Sequence, residues 1–150
     1  MSTHHFTTVA AALTLVVACA SDGPLPPPEG FQHAAATRAC GPADGPAVAI
    51  YLVTAPTTAL EPPAPYVRIN VWQSVSDVAG GMWEVDGDAA AAVYFTAPND
   101  FEVASDGWIR IQVVGADTTV EGSVDLSFPN AGRVAGGFRA VWVSAAPLCG

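Results

Sequence analysis

Apolar and polar residues alternate most cleanly near the end of the chain. Val120, Gly122, Val124, Leu126 and Phe128 fall on one side of an extended segment, and Glu121, Ser123, Asp125 and Ser127 fall on the other. That is the period of two that a half-buried β-strand imposes. Beyond Pro129-Asn130-Ala131-Gly132, a run of turn formers, the inward pattern returns in Val134, Gly136, Phe138, Ala140 and Trp142. The two segments predict a C-terminal hairpin. A register that satisfies both faces sets Gly122 opposite Phe138 and Gly136 opposite Val124, so that each glycine leaves room for a bulkier partner. The same register brings Glu121 opposite Arg139.

Upstream, residues 47–54 are apolar on both faces, which suits a central strand covered on each side. Residues 66–73 alternate, with Val67, Ile69 and Val71 against Tyr66, Arg68, Asn70 and Trp72. Segments 82–85 and 89–97 flank Asp86-Gly87-Asp88, where glycine can take the positive φ of a tight turn, and this predicts a second hairpin. Residues 108–114 alternate again, Ile109, Ile111 and Val113 against Trp108, Arg110, Gln112 and Val114. No segment carries a helical period of apolar residues. About seven short strands, punctuated by 13 prolines and 14 glycines, predict an all-β domain over residues 31–150. The architecture expected is a single antiparallel β-sandwich or a small barrel, and periodicity leaves that choice open.

The front of the chain reads differently. Residues 9–20 form an almost unbroken apolar run of about twelve residues. As a helix it would reach only about 18 Å, against a hydrocarbon core of roughly 30 Å. It has instead the length of the apolar part of a secretory signal and ends in small residues. There Val16-Val17-Ala18-Cys19 resembles the lipobox of bacterial lipoproteins. The resemblance covers the leader alone. It implies that Cys19 is alkylated by a diacylglyceryl group and becomes the first residue after cleavage. Fatty chains such as palmitate would then hold the protein in a membrane, each buried CH₂ contributing about 0.8 kcal/mol.

Ahead of the run the positive groups are the α-amino group, His4 and His5, where such leaders ordinarily carry Lys or Arg. A buried N-terminal strand and plain secretory cleavage are the alternative readings. In lipoproteins of double-membraned bacteria, Asp after the cysteine tends to hold the protein at the inner membrane. Ala20 and Ser21 stand there instead, so the resemblance places the protein in the cell envelope, on the outer membrane of a cell that has one. Residues 19–30 then read as the lipidated cysteine and a tether, in which Pro26, Pro27 and Pro28 favour polyproline II. Residues 1–18 are the expected signal peptide. The run from residue 119 to Cys149 is similar to stretches of uncharacterised bacterial envelope lipoproteins, which implies fold and location only.

With Cys19 committed to lipid, Cys40 and Cys149 remain, one near each end of the domain. An even pair in an exported chain predicts a disulfide. Closing a loop of about a hundred residues restricts the unfolded chain by up to roughly 4.7 kcal/mol in the entropy model. A free thiol pair or a metal site are the alternatives, and His33, the sole histidine after the leader, makes a poor zinc set with two thiols.

Charge narrows the partners. The chain has 14 acidic residues against 5 basic ones and a net charge of −9. Arg38, Arg68, Arg110, Arg133 and Arg139 are scattered singly, whereas a nucleic-acid surface needs clustered cations.

Catalytic machinery is hard to assemble from these residues. His33 sits between tether and domain, no Gly-x-Ser-x-Gly elbow accompanies it, and no phosphate loop is present. Asp86, Asp88, Asp100 and Glu102 could converge as glycosidase carboxylates, or with Asn99 offer oxygens to calcium. Turn chemistry accounts for the same residues. The better binding set is Tyr66, Arg68, Trp72, Trp108 and Arg110. Aromatic faces stack on sugars or peptides, and neighbouring guanidinium groups orient a ligand; rings that merely cover a second sheet face are the plain alternative.

The expectation is a lipid-anchored binding or structural module of the envelope, with no cofactor, metal or catalysis. Its partners would be the membrane and a carbohydrate or protein ligand. Two other readings stand beside it. One is a small barrel carrying an apolar ligand among Val124, Leu126 and Phe138, and the other an envelope hydrolase using its acidic residues.

Overall fold

In the computed structural model, which describes residues 25–59, 61–115, 119–143 and 149, the alternating segments are strands. In chain order they are β1 (His33–Cys40), β2 (Pro46–Val53), β3 (Tyr66–Val71), β4 (Met82–Glu84), β5 (Ala90–Ala97), β6 (Asp100–Val103), β7 (Asp106–Val114), β8 (Thr119–Phe128) and β9 (Gly132–Trp142). A 3₁₀ turn at Pro42–Asp44 joins β1 to β2. All nine strands share one sheet, ordered β4-β7-β8-β9-β1-β2-β3-β5-β6, and the sheet curls into a half-barrel. Its pairs are antiparallel except β1 with β9, which run parallel where Ala34, Ala35 and Ala36 meet Ala140, Val141 and Trp142.

The fold is therefore all-β, as the alternation predicts, and one rolled sheet takes the place of a two-sheet sandwich. Nine strands stand where about seven were expected. The two additions are β1, whose alanine-rich sequence gives little contrast between faces, and the four-residue β6.

The core fills the concave side. Val48, Ile50 and Leu52 of β2, Val67, Ile69 and Val71 of β3, Ile109 and Ile111 of β7, and Val120, Val124 and Leu126 of β8 are all 2% exposed or less. Strand β2 is covered on both sides, as its unbroken apolar run requires. Its opposite face puts Ala49, Tyr51 and Val53 into a second cluster with Ala35.

The C-terminal hairpin has the predicted register: Gly122 opposes Phe138, Val124 opposes Gly136 and Glu121 opposes Arg139. A side chain at Gly122 would collide with the Phe138 ring, its Cβ standing 2.7 Å from Cζ. The missing side chain is thus what lets the phenyl ring lie over β8.

The second predicted hairpin does not form. Strand β4 pairs with β7, setting Trp83 opposite Ile109, while β5 pairs with β3 and β6. The turn itself is as expected: Gly87 has φ +96°, its N–H donates to the Ala90 carbonyl at 3.0 Å, and the Asp86 carboxylate accepts from the Asp88 N–H at 3.0 Å. Such a turn reverses the chain but does not choose the partner. Both edges of β5 are already occupied, and the Val85 N–H bonds the Gly107 carbonyl at 3.0 Å, drawing β4 to the far edge of the sheet.

The proline-rich stretch also differs from a free spacer. Gly137 donates its N–H to the Pro26 carbonyl at 2.7 Å, and a Cβ at Gly136 would stand 2.7 Å from the Pro28 nitrogen. The segment turns where the Phe31 N–H bonds the Pro28 carbonyl at 3.0 Å. Phe31 then enters the core, 5% exposed, its ring edge-on to Tyr94 at 5.9 Å. Residues of the expected tether, Pro26 to Pro28, are therefore docked on β9. The expected signal peptide and Cys19 itself lie outside the described residues.

Phe31→Ala removes the ring that fastens this segment. Urea unfolding is expected to show a loss of about 3–5 kcal/mol, the range for a buried phenylalanine. A loss below about 1 kcal/mol would mean that the segment only rests on the domain.

Candidate functional site

The five aromatic and basic residues picked from the sequence separate into three places. Strands β3 and β7 have β8, β9, β1 and β2 between them. At roughly 4.8 Å per strand, their outer faces lie about 24 Å apart along the sheet. Tyr66 and Arg68 stay together, Trp108 and Arg110 stay together, and Trp72 belongs to neither group.

Tyr66 belongs to a row of rings across four strands. Tyr51 of β2, Tyr66 of β3, Phe95 of β5 and Phe101 of β6 follow one another at centroid separations of 6.1, 4.6 and 5.7 Å, with Tyr66 stacked on Phe95 at 17°. The register sets Tyr66 opposite Phe95 and Phe95 opposite Phe101, so the pairing places them in line. Arg68 lies 6.0 Å above the Tyr51 ring and its Nε donates to Asn70 Oδ1 at 3.1 Å. Burial is the main reason that the Tyr51 and Tyr66 phenols are harder to ionise than usual. The row packs the convex face of the sheet, and Phe101 at its end is 59% exposed.

Trp72 lies beyond the other end of β3. Its N–H bonds the Ala89 carbonyl at 3.0 Å, and its ring lies against Gly41, where a Cβ would stand 2.8 Å from Cδ1. The indole props the β1–β2 turn.

Trp108 has the setting of a site. On the convex face of β7 it is flanked in register by Glu84 of β4 and Asp125 of β8. In the next row Asp106 opposes Ser127, which opposes Arg133. Together with Gly107 these residues line an open groove of about 320 Å³. Gly107 has φ +135°, and a Cβ there would strike the Asp125 backbone, so glycine is what lets β7 lie this close to β8.

Arg133 grips Asp125 with both arms, Nε to Oδ1 at 2.6 Å and Nη2 to Oδ2 at 2.5 Å. Those hydrogen bonds, foremost, hold the Asp125 carboxyl below the usual carboxylate range against a smaller opposing effect of burial. Among the described residues, neither Glu84 nor Asp106 has an ion-pair partner. Arg110 stands one row away, opposite Met82 and Ser123, beside the groove and outside its lining.

A larger groove of about 610 Å³ opens where the docked N-terminal segment meets β8 and β9. Phe31, His33, Gln112, Phe138 and the Glu121–Arg139 pair, 3.2 Å apart, stand around it. Val124 and Leu126, which an interior apolar ligand would have to touch, are 2% and 0% exposed and line neither groove.

The acidic candidates do not converge. Asp86 closes its own turn, and Asp100 accepts from the Thr96 hydroxyl. Glu102 accepts the N–H groups of Asn130 at 2.8 Å and Ala131 at 2.7 Å, which ties β6 to the β8–β9 turn. Among the described residues no three His, Cys, Asp or Glu side chains gather closely enough to hold a metal ion. His33 sits exposed at the start of β1. Cys40 and Cys149 form the disulfide, with Cα atoms 5.5 Å apart.

Apart from Trp108, the groove residues, Glu84, Asp106, Gly107, Asp125, Ser127 and Arg133, were not singled out as a site by the sequence reading. Asp125 and Arg133 share a face of the hairpin in its predicted register, so that pair was within reach. Glu84 was not, because nothing in the order of residues announces that β4 crosses to β7. Comparison of the chain with family models, curated proteins and solved structures found no match.

The Asp125–Arg133 clamp has a pH signature. The folded Asp125 carboxyl lies below its ordinary value of 3.8, so its contribution to stability is whole above that pH and disappears as pH falls through the folded value. Asp125→Asn should melt below the parent at neutral pH, with the gap closing in acid. A gap that stays constant into strong acid would mean that the charge contributes nothing.

Proposed function

We propose that the protein is a lipid-anchored module of the cell envelope that binds through the groove around Trp108 and performs no chemistry of its own. The observation that carries the export reading is the apolar run that ends in Val16-Val17-Ala18-Cys19. The Cys40–Cys149 bridge supports it, since such bonds persist in oxidising compartments outside the cytosol. Ala20 and Ser21 after the cysteine favour the outer membrane where there is one.

The partners that suit this reading are the membrane, through the acyl chains on Cys19, and a carbohydrate or protein ligand in the groove. The net charge of −9 disfavours nucleic acid. The carrier and hydrolase readings have no comparable support, because the core is filled with side chains and Asp86, Asp100 and Glu102 are held in separate structural contacts.

Intact mass of the native protein, with and without reduction and thiol alkylation, tests the reading beside membrane fractionation. The expected species begins at Cys19, carries acyl mass, alkylates at Cys40 and Cys149 only after reduction, and sediments with membranes. Cys19→Ala should abolish acylation and release the protein from that fraction. A mature chain without acyl mass, whose downstream thiols alkylate unreduced, would contradict it.

A further inference from the structure

We propose that the outer face of β5 and β6 is a lipid-contact surface, on which the anchored domain leans against the bilayer through Phe101 and Val103. The proposal rests on the lipid-anchored module described above and adds a second, reversible contact with the same membrane. The register builds the face in two rows, Tyr66, Phe95 and Phe101 in one and Arg68, Val93 and Val103 in the other. Further into the sheet Tyr51 and Val53 are covered, at 6% and 3% exposure. At the edge the cover ends, and Phe101 and Val103 stand 59% and 53% exposed on a strand of four residues. Scattered singly, such side chains need no account, but these two adjoin each other and the apolar residues behind them.

The face is also neutral, on a chain whose net charge is −9. Alternation turns both acids of β6 away from it, and each is engaged elsewhere. Asp100 accepts from the Thr96 hydroxyl, and Glu102 accepts from the Asn130 and Ala131 N–H groups. Arg68 and Glu61, both within electrostatic reach of the Tyr66 phenol, offset one another. What remains is an apolar patch bordered by a phenol and a guanidinium, groups that settle between hydrocarbon and water.

Size and position choose the occupant. The patch spans two strand spacings and one side-chain repeat, about 10 Å by 7 Å, or on the order of 200 Å² with its side chains. A stable protein interface takes roughly 800 Å² from each partner, so the patch is too small to hold a second copy by itself. A bilayer asks for no matching surface, and a weak contact suffices where acyl chains already keep the domain beside it. The patch also lies where the chain enters. Its first row continues in register through Val53 to His33, the first residue of β1. The N-terminal segment joins β9 at Gly137, just ahead of that level, and carries the exposed Leu25. A membrane at that end of the sheet meets both.

The test places the full acylated chain, ¹⁵N-labelled, in phosphatidylcholine nanodiscs that contain a nitroxide-labelled phosphatidylcholine. The amide signals of Phe95, Phe101 and Val103 should broaden, and those of Gly41 and Gly45 in the turn at the far end of β1 should stay sharp. Phe101→Ser with Val103→Ser should lower the ratio of docked to free domain at least about tenfold, read from the broadening at Phe95. Phe101→Leu, which keeps an apolar side chain and guards against a folding defect, should retain the broadening. Unchanged broadening in the folded double-serine variant would overturn the proposal. So would a β6 signal that shifts with protein concentration in detergent and stops shifting in Phe101→Ser, which would give the face to a second copy. Sharp β6 signals in a chain that carries acyl mass would remove the face and keep the anchor, whereas broadened β6 signals in a chain without acyl mass would keep the face and remove the anchor.

Discussion

A single sheet has no second layer to cover its apolar face, so it must roll until that face covers itself. Every other feature of this domain depends on that constraint. Rolling brings β8 and β7 round to face β2 and β3, and the buried residues of all four strands become one cluster. The roll is partial, so the two edges do not hydrogen-bond to each other, and separate fastenings hold it closed. Glu102 on edge strand β6 grips the β8–β9 turn, and the Ser105 N–H bonds the Ser127 carbonyl at 2.8 Å. Phe31 completes the interior at the same end through Tyr94, which in turn lies 5.7 Å from Phe128.

The rolled sheet divides its surface by function. Its concave side is filled with side chains at essentially no exposure, so nothing of ligand size enters there. Any open groove is left to the convex side, where strand pairing arranges side chains in rows. One row, Tyr51 to Phe101, is mostly ring against ring and serves packing. Another, Glu84-Trp108-Asp125, surrounds its ring with polar groups and leaves a groove. The difference between a closed row and a grooved row thus comes from what the register puts beside the aromatic ring.

The parts of this structure that the sequence made legible are those whose causes are local. Period-two alternation located four of the nine described strands, an unbroken apolar run and a turn signal located three more, and the β8–β9 register followed from matching Gly122 to Phe138 and Gly136 to Val124. The cysteine count led to the bridge between Cys40 and Cys149. What stayed hidden was decided by distant parts of the chain. The Asp86-Gly87-Asp88 turn is real, yet the pairing of β4 was settled by the occupied edges of β5 and by the free edge of β7. Trp72 has the same alternation as Tyr66 and Arg68, but only the approach of Gly41 determines that it props a turn. One flank of the Trp108 groove was hidden for the same reason, because Glu84 reaches it through that crossing.

The order of strands also explains how the two ends of the domain are held. In most sheets a chain terminus supplies an edge, but here the first and last strands, β1 and β9, are neighbours in the middle, and internal segments form the edges. Those edges are short and carry charge: β4 has three residues ending in Glu84, and β6 has four that include Asp100 and Glu102. Short charged edges resist pairing with other chains. The N-terminal segment enters along β9 at Gly137, and at the far end of β1 Cys40 is bonded to Cys149 beyond β9. Force entering through the N-terminal segment would therefore reach the sheet at its central pair, which is crosslinked at the opposite end, and not at the edge strand β4 or its neighbour β7.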